Sequence, residues 1–206
     1  MKIAVLGASG ATGRLLVAGA LARGLTVTAL ARDPGRIPGT DHAGLFPVAA
    51  DVYRPRSIAD AVVGCDVLLS GLGVPKGGRP DTLVAGAAAA IGSGVPRVVW
   101  LGAYGTGRSA RAAGALTRAL LGVVLRSELA DKVSADDAVL DAGGTVFHSG
   151  PLTNGPAATA HRTLALDDAP RRLLPAAVSR ATVAAAMLDE AVHPRFPGRI
   201  AVPVAG

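Results

Sequence analysis

The chain has 206 residues, half of them hydrophobic and 17% charged, which is enough to bury a sizeable core and too apolar for disorder. Gly, Pro or a charge interrupts each apolar run well short of the ~18 residues of a membrane span, so no membrane is expected as a partner. The formal charge of +6 comes almost wholly from scattered arginines, and with only 3% aromatics they lack the interleaved rings of a nucleic-acid surface.

Residues 3–6 are a short apolar run and predict a first strand, directly followed by Gly7-Ala8-Ser9-Gly10-Ala11-Thr12-Gly13 and a helix over 11–23. Next come a strand over 26–31, a loop over 33–44, a strand over 46–50, a short helix over 58–63 and a strand over 66–70. Beyond an irregular stretch at 74–80, the Ala-rich segment 82–92 reads as a helix and 97–101 as a fifth strand. Helical material over 110–142 leads to a sixth strand at 145–148, then an irregular loop over 151–169 and a last helix over 180–192. Residues 199–202 add one more strand at the sheet edge. This alternation, with strands that are continuous apolar runs, predicts a single α/β domain over 1–206. Its architecture would be a Rossmann-like, doubly wound parallel sheet with ligand at the carboxyl ends of the strands. Met1-Lys2 leads straight into the first strand, so no signal peptide is expected, and the lone Cys65 excludes an internal disulfide and points to the cytoplasm.

The order strand, glycine turn, helix is how a chain builds a dinucleotide pocket. Gly7 turns the chain off the strand, Gly10 leaves room for a pyrophosphate, and Gly13 lets the helix pack closely on the sheet. The run Gly7, Ser9, Gly10, Ala11, Thr12, Gly13 and Arg14 is therefore the expected phosphate cradle. After the second strand stand Arg32 and Arg36. Cations there favour the 2′-phosphate of NADP(H) over NAD, although Asp33 leaves an acidic ribose contact open. Asp51 and Val52 flank the adenine or merely cap a strand end. Leu72 and Gly73 run the backbone close to the cofactor or form a plain turn. Tyr104, His148 and Lys132 are the candidate catalytic residues. Tyr104 could stack or donate a proton, or pack; His148 could act as an acid, orient a substrate, or be a hydrogen-bonded core residue; Lys132 could touch ribose hydroxyls or face solvent. The four histidines are dispersed and no metal-ligand spacing occurs, so no metal is expected.

The run Gly7–Arg14, Arg-Asp-Pro at 32–34, Asp51-Val52 and Gly71-Leu72-Gly73 resemble the atypical short-chain dehydrogenases/reductases. The similarity is to the small NAD(P)H-binding subgroup with flavin reductase/biliverdin reductase B and the NmrA-like proteins. The segments 145–156 (TVFHSGPLTNGP) and 178–188 (VSRATVAAAML) are similar to that subgroup's later strand, proline-rich loop and last helix. The resemblance implies NADP(H) as cofactor, a small-molecule acceptor bound mainly by the loop at about 151–169, and a monomer or homodimer. Members carry a Tyr-x-x-x-Lys pair and a serine after the fifth strand. Here Glu128 stands four residues before Lys132, and Leu101-Gly102-Ala103-Tyr104 has no serine. Ketone reduction leaves an alkoxide that needs a placed proton donor, whereas a conjugated acceptor can take its proton from water. The expected activity is therefore hydride transfer to a flavin, quinone or related compound. An NADP redox sensor without turnover, or a dehydration or cyclisation with His148 as base, are the alternatives.

Overall fold

The first apolar run becomes β1 (Lys2–Leu6), paired in parallel with β2 (Thr26–Ala31) on one side and β4 (Val67–Ser70) on the other, Val5 lying beside Ala29 and Leu69. Alternate side chains of β1 enter two separate cores, as the two-residue period of a strand requires. Ile3 and Val5 pack with Leu16 of α1 (Ala11–Ala22) and Met187 of α5 (Arg180–Val192). Ala4 and Leu6 pack with Ile58 of α2 (Pro55–Ala61), Leu83 of α3 (Thr82–Ile91) and Val139 of α4 (Leu129–Asp141). Both faces of the sheet are covered at its centre, so the central strands β1 and β4 are apolar and buried almost throughout. Full burial of a side chain such as Leu16 or Ile3 contributes about 1.5–3 kcal/mol.

The computed structural model describes residues 1–74, 78–111, 129–170 and 176–205, and these form one domain. The remaining strands of the main sheet are β3 (Leu45–Ala49), β5 (Val98–Ala103), β6 (Thr145–Ser149), β8 (His161–Ala165) and β10 (Ile200–Ala205). The eight strands run in the order β3-β2-β1-β4-β5-β6-β10-β8, and strand order reverses between β1 and β4. A two-residue strand β7 (Leu152–Thr153) pairs with β9 (Val178–Ser179) as a separate small sheet. The expected α/β doubly wound architecture is the one observed, and the strands from residue 2 to residue 103 fall within two residues of the expected runs, while the helix expected over 58–63 is found at Pro55–Ala61, opened by Pro55.

The C-terminal third departs from expectation. The strand expected at 199–202 on the sheet edge runs Ile200–Ala205 and lies between β6 and β8. The edge is β8, antiparallel to β10, and it falls in the stretch 151–169 expected to be irregular. His161-Arg162-Thr163-Leu164-Ala165 is no apolar run because only one face of an edge strand is buried, Thr163 and Ala165 being its buried residues. The opposite edge, β3, accommodates Pro47, which has no N–H for a ladder. Of the helical material expected over 110–142, the described part is α4 and a 3-10 turn at Gly107–Arg111; residues 112–128 lie outside the described residues.

Candidate functional site

The turn after β1 opens the site. Gly7 has φ +76°, a conformation that suits glycine, and the N–H groups of Gly7 and Ala8 both donate to Leu30 O, at 3.1 and 3.0 Å, pinning the turn to the end of β2. A Cβ on Gly13 would fall 2.1 Å from Gly7 O, so α1 reaches the sheet only because position 13 is glycine. Gly10 is the N-cap of α1 and no side chain caps that helix, leaving the N–H groups of its first turn directed at the space above the strands.

That space is a cleft of about 690 Å³ at the carboxyl ends of the strands. Gly7, Ser9, Gly10, Ala11, Thr12, Arg32, Arg36, Asp51, Val52, Leu72 and Gly73 line it, and so does Lys132 from the first turn of α4. Eleven positions of the expected cofactor set therefore meet in one place. Gly13 and Arg14 do not line it. Gly13 serves packing, as its contact with Gly7 shows. Arg14 spends its guanidinium on two carbonyls, Nε donating to Ser9 O at 2.9 Å and Nη2 to Arg36 O at 3.1 Å, which ties the glycine turn to the loop carrying Arg36. Asp33 is not in the lining either: its Oδ1 accepts from Gly35 N at 3.1 Å and caps the 3-10 turn Pro34–Arg36. Asp51 lines the cleft while accepting from Tyr53 N at 3.0 Å, so it caps its own turn as well.

Two of the three candidate catalytic residues lie elsewhere. Tyr104 is buried and lines a smaller apolar cavity of about 140 Å³ with Pro170, Val178 and Val202. His148 is 1% exposed; its Nδ1 lies 2.7 Å from Ser109 Oγ and its Nε2 lies 3.1 Å from Asp136 Oδ2. Ser109 in turn accepts from Gly105 N at 2.8 Å and donates to Thr106 O at 2.9 Å. The cluster sits against Gly102, where a Cβ would come 2.6 Å from Asp136 Oδ2 and 2.8 Å from His148 Cδ2. His148 thus belongs to a buried polar core on the α4 side of β5, the hydrogen-bonded core reading among those the sequence left open, with Ser109 and Asp136 as the partners the sequence did not name.

Lys132 reaches the cleft because its neighbour anchors α4. The Asp131 carboxylate accepts from Leu83 N at 3.0 Å and Val84 N at 2.9 Å, capping α3, whose own N-cap Asp81 makes no capping bond. Other lining residues were not anticipated: Tyr53, Arg79, Thr82, Ser149 and Arg180. At the rim the Arg79 guanidinium lies 3.7 Å over the Tyr53 ring and pairs with Asp81 at 3.1 Å. Hydrogen bonding to Asp81 raises Arg79 above its ordinary pKa, and the same bond, with help from Tyr53, holds the Asp81 carboxyl below the usual carboxylate range. Among the described residues the only carboxylate lining the cleft is Asp51, against Arg32, Arg36, Arg79, Lys132 and Arg180. The site is built for an anion. No cluster of His, Cys, Asp and Glu suited to a metal occurs among the described residues, and no helix among them is long and apolar enough to cross a membrane.

Comparison with known proteins agrees with this geometry. A family model described as NAD(P)H-binding matches residues 7–194. A Burkholderia pseudomallei protein, named as a candidate exported protein, is 30% identical with a TM-score of 0.80, each chain covered over 99% of its length. A short-chain dehydrogenase/reductase (wide type) from Veillonella parvula, solved in complex with NADP, shares the fold at 19% identity and a TM-score of 0.81, over 98% of this chain and 93% of that one. An oxidoreductase from Lactococcus lactis does so at 20% identity and a TM-score of 0.81, over 100% and 91%.

Proposed function

This chain belongs to the NAD(P)H-binding family, and on that premise we propose that it is an NADPH-dependent oxidoreductase that passes hydride to a conjugated small-molecule acceptor. The observation that carries the reading is the cleft itself. The uncapped start of α1 faces one part of it, Arg32 and Arg36 face the end of β2, and Lys132 faces the β5 side. These residues fit the cofactor. The first-turn N–H groups of α1 would take the pyrophosphate, and Arg32 with Arg36 would take the 2′-phosphate. The turn of Asp33 onto Gly35 removes the carboxylate that an NAD-selective ribose contact would use. Gly73 keeps a side chain off the cleft wall, since a Cβ there would meet nothing within 4 Å and would project into open space.

The chemistry available from the bound cofactor is transfer of a hydride. The protein's part is to hold the acceptor against that face and to leave protonation to whatever is at hand. Lys132 is the one titratable side chain of the expected catalytic set that lines the cleft, and it would bind ribose hydroxyls as an ammonium donor. Tyr53 lines the opposite part, beside Val52, and its hydroxyl donates to Asp81 Oδ1 at 3.0 Å. No tyrosine stands four residues before Lys132. An acceptor that delocalises the incoming electron pair and draws its proton from water suits this wall better than a simple ketone. The dehydration or cyclisation alternative needs His148 as a base in the cleft, and that imidazole is engaged at both nitrogens in the core. We place the protein in the cytoplasm, as a monomer or homodimer, where NADPH is supplied.

The test is anaerobic loss of NADPH absorbance with FMN and then a quinone added, with calorimetric titration of NADP⁺ and NAD⁺ in parallel. Acceptor-dependent decay with tighter NADP⁺ binding is the expected result. Tight NADP⁺ binding with no decay across a broad acceptor panel would overturn the reductase and leave a redox sensor.

A further inference from the structure

The two ends of the cleft lie on opposite sides of the strand reversal. Arg32, Arg36 and Asp51 follow β2 and β3, whereas Ser149 ends β6 and Gly150 and Leu152 follow it. β2 and β6 are four strand spacings apart, about 19 Å at ~4.8 Å per spacing, so a cation at the β6 end is out of reach of a 2′-phosphate held at β2. Arg180 is such a cation. It opens α5 directly after β9, and the pairing of β9 with β7 sets it against the loop that closes this end.

Arg180 is half-buried and its guanidinium is already oriented. Nη1 donates to Leu152 O at 3.3 Å and to Asn154 Oδ1 at 2.7 Å, which fixes the plane of the group. Both partners are neutral, and among the described residues Nε and Nη2 have no partner and no carboxylate pairs with Arg180. Lys132, which lines the same cleft, likewise has no carboxylate partner among the described residues. A half-buried cation has lost part of its hydration, and an anion is what restores the balance. A planar fork with donors to spare matches a carboxylate, phosphate or sulfonate.

We propose that Arg180 binds an acidic group on the acceptor, so that the substrates of this enzyme are anionic conjugated molecules rather than neutral ones. The proposal rests on the reading of the cleft given above, with cofactor at one end and acceptor at the other. Its test uses twins that share a ring system and differ in one acidic group: FMN against riboflavin, and 1,4-naphthoquinone-2-sulfonate against 1,4-naphthoquinone. Affinity for the NADP⁺ complex is measured by fluorescence or calorimetric titration, and turnover separately by NADPH oxidation. The wild-type protein is expected to prefer the acidic member of at least one pair by about tenfold or more. Arg180→Gln should collapse that ratio to within about twofold, and Arg180→Lys should restore part of it. Equal affinity for both members of both pairs in the wild type would overturn the proposal. So would an Arg180→Gln variant that weakens acidic and neutral members together, the signature of a merely structural arginine. A preference that persists without NADPH decay would support the anion site while defeating the reductase, which keeps the two failures apart.

Discussion

The cleft and the polar cluster behind Gly102 hold the same kinds of side chain, and they differ in what satisfies them. In the cluster, His148 is engaged at both ring nitrogens and Ser109 makes three hydrogen bonds, all inside the protein. In the cleft, Arg32, Arg36, Lys132 and Arg180 have no carboxylate partner among the described residues. Residue type alone makes His148 the better catalyst and Arg180 a surface charge. Satisfied groups stabilise a fold, and unsatisfied ones at a cavity wall are available to a ligand.

The comparison breaks most readily at the cluster. His148→Ala strips Asp136 of its one side-chain partner among the described residues, where its Oδ1 already lacks one, and should cost about 3–5 kcal/mol of unfolding free energy. Urea titration measures this, and calorimetry on the folded fraction should find NADP⁺ affinity close to that of the wild type. A variant of normal stability that no longer binds or turns over would return His148 to the site. Gly13→Ala acts on the cleft through packing. A methyl 2.1 Å from a carbonyl oxygen must push α1 off the sheet, costing about 3 kcal/mol, and NADP⁺ affinity should fall with it because the first-turn N–H groups move.

Arg32→Ala sharpens the contrast, since no hydrogen bond or ion pair among the described residues uses this side chain. It should leave thermal stability unchanged and weaken NADP⁺ by about 10–100-fold, roughly 1.5–3 kcal/mol, with NAD⁺ little affected. The smallest effect belongs to a pair that is satisfied but exposed. Asp81 titrates below an unfolded carboxyl because Arg79 holds it, so its contribution is present above about pH 4 and fades as pH falls through its lowered folded value. Water screens a pair this exposed, and the unfolding midpoints of Asp81→Asn and wild type should coincide across that range.

The first half of the fold was legible because β1, β2 and β4 are buried on both faces and its turn is spelled in glycines. Hydrophobic run and turn chemistry both survive in a single sequence. β8 was illegible because an edge strand buries only alternate residues, and β7 and β9 because two residues carry no period. In the site, the glycine turn was readable as a local motif, whereas Arg180 enters the cleft through a strand pair joining residues 152–153 to 178–179. The burial of His148 has the same origin, with partners 39 and 12 residues away. Contacts that bring distant segments together leave no local signature, and the β6 end of the cleft is made of them.

The protein also carries its own optical gauge. Trp100, the sole tryptophan, is 1% exposed on β5, and the next three residues of that strand line the cleft. Its emission should be blue-shifted in the folded state and move red on unfolding, a single-site signal free of contributions from elsewhere. Because tryptophan emits where reduced nicotinamide absorbs, the same ring should donate its excitation to a bound NADPH and dim as the cleft fills. Stability and cofactor occupancy can then be read from one label-free lamp, in the wild type and in every variant that keeps Trp100.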